Sequence, residues 1–482
     1  MKQVYKQLLT ALLSIFIFSS ANAAILYVKP ATGSTAWQDK TTVYSDLQTA
    51  LAVAISGDQL WVAAGTYKPT TGTDRTISFQ LKDGVELYGG FAGNETELSQ
   101  RKWRVNTTIL SGDIGVAEDN TDNSIHVISS VGTIESPISS STILDGFIVE
   151  KGYASITSGT DSRAGGLLLS YASPLILNTW FRNNYAVYDG GAIHANTASS
   201  ASFGNVLFTN NSSNMGAAVF SGGSAMKFHS CLFYDNTASY RGGAIFDNTF
   251  SSLVEVTNSI LWNNKAVANY PQLNNQIVAY SIVQGGYSGI GNLNLEPLFV
   301  DAENGNFQLN ESSPALQKGN PDLVPAWLTV DYAGKPRITM DKTNMGVYES
   351  KATGPILVSP KNKEVFNIDI SEVELSWQKP EGLSEDFISY TLEYRVNNNA
   401  VQSITSLENF SYTLTGLLPA DLIQWRVAGV VEGGFLNWSQ WRTFYIKRDH
   451  PLYVSPDGTG SGSSWTDAIN LQVALGIAVY GD

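Results

Sequence analysis

Between residues 145 and 264 two short markers recur in step, and this repeat limits what the chain can fold into more than any other feature. One marker is a glycine pair ahead of a short apolar run: GGLL at Gly165, GGAI at Gly190, GAAV at Gly216 and GGAI at Gly242, at steps of 25, 26 and 26 residues. The other reads F/L-x-N/D-N: FRNN at Phe181, FTNN at Phe208, FYDN at Phe233 and LWNN at Leu261, at steps of 27, 25 and 28. Periods of this length belong to solenoids, propellers and arrays. Each repeat is too short for a four-stranded propeller blade and lacks helical spacing. It consists of short β runs separated by Gly, Asn and Ser. One repeat is therefore one coil of a parallel β-helix, with successive coils about 4.8 Å apart. In that arrangement Asn184, Asn211, Asn236 and Asn264 stack into an amide ladder in an αL-tolerant turn, and Phe181, Phe208, Phe233 and Leu261 into an interior apolar column.

The GGA[ILV] and FxxN markers resemble the polymorphic outer-membrane-protein repeats of the pectin-lyase-like superfamily. Flanking segments resemble other parts of such secreted proteins: ILYVKP at 25–30, LWVAAGTY at 60–67, LYGGFAGNETELSQR at 87–101 and TILDGFIVEKG at 142–152. The segment EPLFVDAENGNFQLNESSPALQKGN at 296–320, with DYAGKPR at 331–337 and MGVYE at 345–349, resembles their closing region. The resemblance implies an all-β, right-handed, single-stranded parallel β-helix over residues 25–350. It also implies location outside the cell or at the outer membrane of a Gram-negative bacterium. Its members include adhesins and anchored surface proteins, so it specifies fold more tightly than activity. A solenoid needs end caps. Leu47, Leu51 and Ala54 fall on one helical face behind Asp46, which predicts a short N-terminal cap helix.

Residues 354–446 change pattern to alternating strands (Val373, Leu375, Trp377; Tyr390, Leu392, Tyr394; Tyr412, Leu414; Trp425, Val427) and resemble a fibronectin type III sandwich. Residues 451–482 then repeat the start of the mature chain. Leu452-Tyr453-Val454 matches Leu26-Tyr27-Val28, Trp465 matches Trp37, Leu471-Gln472 matches Leu47-Gln48, and Gly481-Asp482 matches Gly57-Asp58. The expectation is a second β-helix cut off within its cap, in a fragment of a longer array.

The first residues read as an export signal: Lys2 and Lys6, an apolar run from Leu8 to Phe18, then Ala21-Asn22-Ala23 as a cleavage site, giving a signal peptide over 1–23. That run is too short to span a bilayer, and no transmembrane span is expected in the chain. A net charge of −14 argues against a nucleic-acid partner. The single cysteine, Cys231, cannot form an internal disulfide and sits in an apolar stretch, where an inert buried thiol is expected.

Because pectin-lyase-like folds include lyases and glycosidases, chemistry must be sought. A lyase requires a basic residue beside carboxylates that hold calcium against a uronate. The repeat holds Lys151, Arg163, Arg182, Lys227, Arg241 and Lys265, and alignment places Asp189 and Arg241 in one column two coils apart. That neighbourhood is too loose for an acid–base pair, and no catalytic residue is assigned. No motif indicates a cofactor or metal, calcium included; His126 and His229 lack spaced partners. His194 falls in register with Phe220 and Phe246, as packing. Asp113 and Asp301 are expected to cap turns, and Glu95 to pair with Arg101. The candidate ligand-binding residues are Tyr188 and Tyr240, in one column, and Trp262, since exposed aromatics on a flat sheet stack on sugar rings. The expected partner is a polysaccharide or surface glycoprotein. The leading expectation is a non-catalytic adhesin or glycan-contacting scaffold. The alternatives are a polysaccharide lyase or glycoside hydrolase acting on the helix face, and a purely structural stalk.

Overall fold

The computed structural model describes residues 23–471 apart from 32–33, 197, 250–253, 340, 350–354, 380–386, 398, 432–435, 440, 449–450 and 461–462. The expected leader falls almost wholly outside the described residues, as do the matches at Gln472, Gly481 and Asp482. The chain divides into two compact units, residues 1–292 and 293–482. Among the described residues no helix is long and apolar enough to cross a membrane.

The first unit is a parallel β-helix. Each regular coil contributes one short strand to each of four parallel sheets, of ten, eight, five and six strands. The coil that begins at Leu175–Leu177 continues through Trp180–Arg182, Tyr185–Ala186 and Ile193–Ala195, and the next begins at Ser202–Gly204. Register is set by like stacking on like: Phe181 lies opposite Phe208, and Phe208 opposite Phe233. Their rings stack at 5.4 and 4.7 Å, fully buried. A second interior column, Phe203 over Phe228 at 4.5 Å, meets the first edge-on. Burial of each such ring contributes about 2–3 kcal/mol.

The amide ladder forms as the spacing predicts. The Nδ2 groups of Asn184, Asn211 and Asn236 donate to the Oδ1 of the next asparagine at 3.1, 2.9 and 2.8 Å. Each also reaches a carbonyl of the preceding coil: Val149, Phe181 and Phe208. One detail differs from expectation. The αL conformation is held by the residue before each ladder member, Asn183, Asn210, Asp235 and Asn263, with φ between 54 and 58°. Those residues turn the chain so that the following amide points inward. The first glycine marker is also displaced by one. Leu167 lies opposite Ile193, so Ala164 (φ 55°) occupies the column of Gly190, Gly216 and Gly242 (φ 66, 60 and 69°). The backbone demands a left-handed residue there, and one coil meets that demand with alanine.

At the N-terminal end Leu47–Val53 forms the cap helix, and Leu47, Ala50 and Leu51 are buried against the interior. Asp46 caps it, accepting from the amides of Gln48 and Thr49 at 3.2 and 3.0 Å. The expected Glu95–Arg101 pair does not form. Glu95 instead accepts from the amides of Ala92, Gly93 and Asn94. Arg101 pairs with the buried Asp145 and lies over the rings of Tyr88 and Trp103. A carboxylate that already accepts three backbone bonds has little to gain from a side-chain cation, whereas Asp145, in low-dielectric surroundings, does. Cys231 is fully buried in the interior.

The parallel ladders run from Ile25–Val28 to Ile282–Val283. The closing segment falls in the second unit, where Phe299–Asp301 and Asn306–Leu309 pair antiparallel. There the buried Arg337 binds Glu349 at 2.7 Å and the carbonyls of Gly346 and Val347 at 3.0 Å. Residues 356–446 form a two-sheet sandwich. Ile356–Ser359, Glu372–Gln378 and Ser411–Thr415 make one sheet; Phe387–Val396 and Leu422–Val431 are central in the other. Leu375, Trp377, Tyr390, Leu392, Trp425 and Val427 fill the space between, as the alternation predicts.

Candidate binding surface on the coils

Tyr188 and Tyr240 are brought into one row. Tyr240 belongs to Thr237–Arg241 of the five-stranded sheet, and Tyr188 follows Tyr185–Ala186 of the same sheet. The residues after them share a column: Arg163 faces Asp189, Asp189 faces Met215, and Met215 faces Arg241. The two tyrosines are therefore two coils apart, about 9.6 Å along the axis. They are 44% and 40% exposed, whereas Asp189 beside Tyr188 is 5% exposed, because alternate residues of a strand face opposite ways. Arg241 lies over the Tyr240 ring at 4.5 Å.

Trp262 is not part of this row. It ends Ile260–Trp262 on the eight-stranded sheet, half-buried, directly opposite Tyr234 of the preceding coil. The sequence reading missed a third tyrosine beside the row. Tyr270 is 40% exposed and lies where its carbonyl accepts from Gly243, which continues the left-handed column of Gly242 with φ 62°. The glycine marker is absent from that coil, so nothing flagged the position. The usable signal was Leu273, buried where the column of Ile193, Val219 and Ile245 leads.

Beneath the tyrosines lies a polar cluster. Arg163 Nε is 3.2 Å from Asp189 Oδ2. Burial raises the Asp189 carboxyl above its usual range, partly offset by that guanidinium. His126 Nδ1 contacts the Ala164 carbonyl at 2.7 Å, and burial lowers its affinity for a proton. His194 donates from Nε2 to Asn196 Oδ1 at 2.8 Å, which leaves Nδ1 as a buried acceptor with no partner among the described residues. Its ring stacks flat on Phe220 at 5.0 Å, as the register predicts, and burial lowers its pKa to about 4. At 2% exposure it stays neutral and out of reach of a substrate.

The basic residues of the repeat are each engaged. Lys151 binds Asp113 at 2.7 Å and Glu118 at 2.6 Å, and those bonds raise its pKa. Arg182 binds Glu150 at 2.7 Å, Lys227 lies 3.6 Å from Glu255, and Lys265 binds Asp235 at 2.6 Å. Arg163 has Asp189 and Arg241 has the Tyr240 ring. Asp113 is thus mainly an ion-pair partner, accepting from Lys151 at 2.7 Å and from the Glu118 backbone amide at a long 3.5 Å, while Asp301 caps a turn by accepting from the Asn304 amide. Among the described residues no cluster of three or more His, Cys, Asp or Glu side chains could hold a metal.

Residues 358–445 match the fibronectin type III domain, and residues 230–248 match the Chlamydia polymorphic membrane protein repeat. Among solved structures, pectate lyase Pel9A aligns at 10% identity over 69% of this chain and 97% of its own, with a TM-score of 0.32. The chicken CNTN1 FN1–FN3 domains align at 17% identity over 21% of this chain and 34% of theirs, about a third of their length, with a TM-score of 0.17. The fibronectin type III domain of a human fibronectin type III domain containing protein 3 aligns at 24% identity over 21% of this chain and 94% of its own, with a TM-score of 0.16. A search of curated proteins returned no match. Residues 358–445 are thus similar to a fibronectin type III domain, and residues 230–248, which lie within the parallel β-helix, to the polymorphic membrane protein repeat.

Proposed function

We propose that the chain is an exported cell-surface repeat protein that contacts glycans without transforming them. The exposed row of Tyr188 and Tyr240 carries this reading: two exposed phenols two coils apart, the second at the irregularity where Ser213–Met215 pairs with Ala238–Arg241. Such rings offer an apolar face to a sugar and polar edges to its hydroxyls. The match to a membrane protein repeat supports presentation at a bacterial surface or outer membrane, and the leader at 1–23 supports export. Weighing against a lyase, a basic catalyst must be able to lose its proton, and Lys151 is held protonated by Asp113 and Glu118.

On a glycan array the full chain is expected to retain at least one polysaccharide, and Tyr188→Ala with Tyr240→Ala is expected to abolish retention. Unchanged retention overturns the tyrosine surface, and retention of no glycan favours a stalk. Incubation with acidic and neutral polysaccharides is expected to yield neither unsaturated uronates nor new reducing ends. Either product would establish catalysis.

A further inference from the structure

The segment at 451–471 can be compared with the first rung of the β-helix, whose sequence it repeats. In the first copy, Tyr27 and Trp37 pair at 5.1 Å and 53°, and Lys29 donates its amide to the Tyr44 carbonyl at 2.9 Å. In the second, Tyr453 and Trp465 pair at 5.2 Å and 67°, and Ser455 donates to the Ile469 carbonyl at 3.0 Å. Val454 forms a parallel bridge with Ile469, as Tyr27 and Val28 do with Val43 and Tyr44. The local geometry is the same.

What covers it is not. The first rung has a strand on its other edge, with Leu26 and Val28 opposite Leu60 and Val62 of Gln59–Ala63. That strand brings Trp61 to 5.9 Å from Tyr27, stacked at 4.7 Å on Phe91, and Phe91 lies 5.7 Å from Trp37. Trp37 is 1% and Leu47 0% exposed as a result. In the second copy Trp465 is 73% and Leu471 60% exposed. Among the described residues, Leu452–Val454 pairs only with Ile469. In a parallel ladder alternate residues bond to opposite sides, so the backbone groups of Leu452 and Val454, the counterparts of Leu26 and Val28, face the edge that carries no strand among the described residues.

We propose that residues 451–471 are the first rung of a second β-helix, and that its open edge accepts a parallel strand of the Gln59–Ala63 pattern, with an aromatic at the Trp61 position. The occupant is β-helix sequence delivered in cis. In the first copy only four residues (55–58) separate the end of the cap, Ala54, from that strand, so closure costs little chain entropy. This inference does not rest on the glycan reading.

The test is the full chain extended after Asp482 by a second copy of residues 59–292. Hydrogen exchange at the Leu452 and Val454 amides should change from fast to slow. Hydroxyl-radical labelling of Trp465 should be lost to the level of Trp37 in the same sample, and Trp465→Ala should restore fast exchange at 452–454. Slow exchange in the appended coils with Trp465 labelled as before overturns the proposal. If the appended coils do not fold, a synthetic peptide of residues 59–91 added to the unextended chain provides the second measurement. It should slow exchange at Leu452 and Val454, and exchange unchanged by the peptide overturns the proposal equally. Glycan retention reads neither outcome.

Discussion

The coils and the sandwich are both β-structures, yet they hold together by different neighbours. In the coils a side chain packs on its own equivalent one coil away: Phe181 on Phe208 on Phe233, and Asn184 on Asn211 on Asn236. In the sandwich unlike residues converge across two sheets, as where Trp377 meets the edge of Tyr390. The first scheme can bury amides, because each polar rung supplies the partner of the next. The second excludes them and depends on a few large rings.

Trp425→Ala should separate the two schemes most sharply. Trp425 is fully buried, and its loss should cost the sandwich about 3–5 kcal/mol while leaving the coils unchanged. Urea unfolding followed by amide exchange in each region would show this, and equal loss in both would break the comparison. Asn211→Ala should be next, at about 3 kcal/mol and confined to the coils. It takes away the acceptor of the buried Asn184 backbone amide and one donor to the Phe181 carbonyl, while Asn184 Nδ2 keeps the Val149 carbonyl. A cost under about 1 kcal/mol would show that water replaces the rung.

The third prediction concerns pH. His194 has a folded pKa of about 4, below its unfolded value, so the folded state resists the proton. Its contribution is complete above about pH 6.5 and is lost as pH falls toward about 4, reaching roughly 2 kcal/mol at about pH 5. His194→Phe, which extends the Phe220 and Phe246 column, should remove that acid sensitivity and change little at about pH 7.5. Melts at the two pH values check it. The smallest effect is expected on the sandwich surface. Arg426 lies over Trp438 at 4.1 Å and Trp441 at 4.7 Å and binds Glu393 at 2.6 Å. Arg426→Ala should cost about 1 kcal/mol by thermal unfolding, since the group is partly exposed and solvent-screened.

The columns were legible in the sequence because a stacking residue must recur at the coil period. What was lost had no recurring letter. Ala164 sits in a column of glycines because the backbone, not the side chain, is repeated there. Tyr270 escaped notice for the same reason. Arg101 pairs with Asp145 across 44 residues, a separation set by the irregular turns between Thr108–Ser111, Ile128–Val131 and Ile143–Asp145 and not by the repeat period. The ion pairs of the regular coils were within reach: Arg182 and Glu150, or Lys227 and Glu255, are simply one coil apart. Tyr188 and Tyr240 could be placed in a row by counting, whereas Trp262 belongs to another sheet, which counting along one marker does not reveal.

The amide ladder is closed at both ends. Its first rung accepts from the Gly152 amide, and its last, Asn264, donates to the Oε1 of Gln272 at 2.7 Å, a residue only eight positions further along. Every rung between is interchangeable, since each gives and receives the same bonds. Coil number can therefore change by duplication or loss within the ladder without disturbing either terminus. Strands after Gln272, Ile277–Ala279 and Ile282–Val283, still stack on the coils, but a further asparagine rung would have to take the place of the Gln272 amide. In such a ladder the middle sets how long the stack is, and the two ends set where it stops.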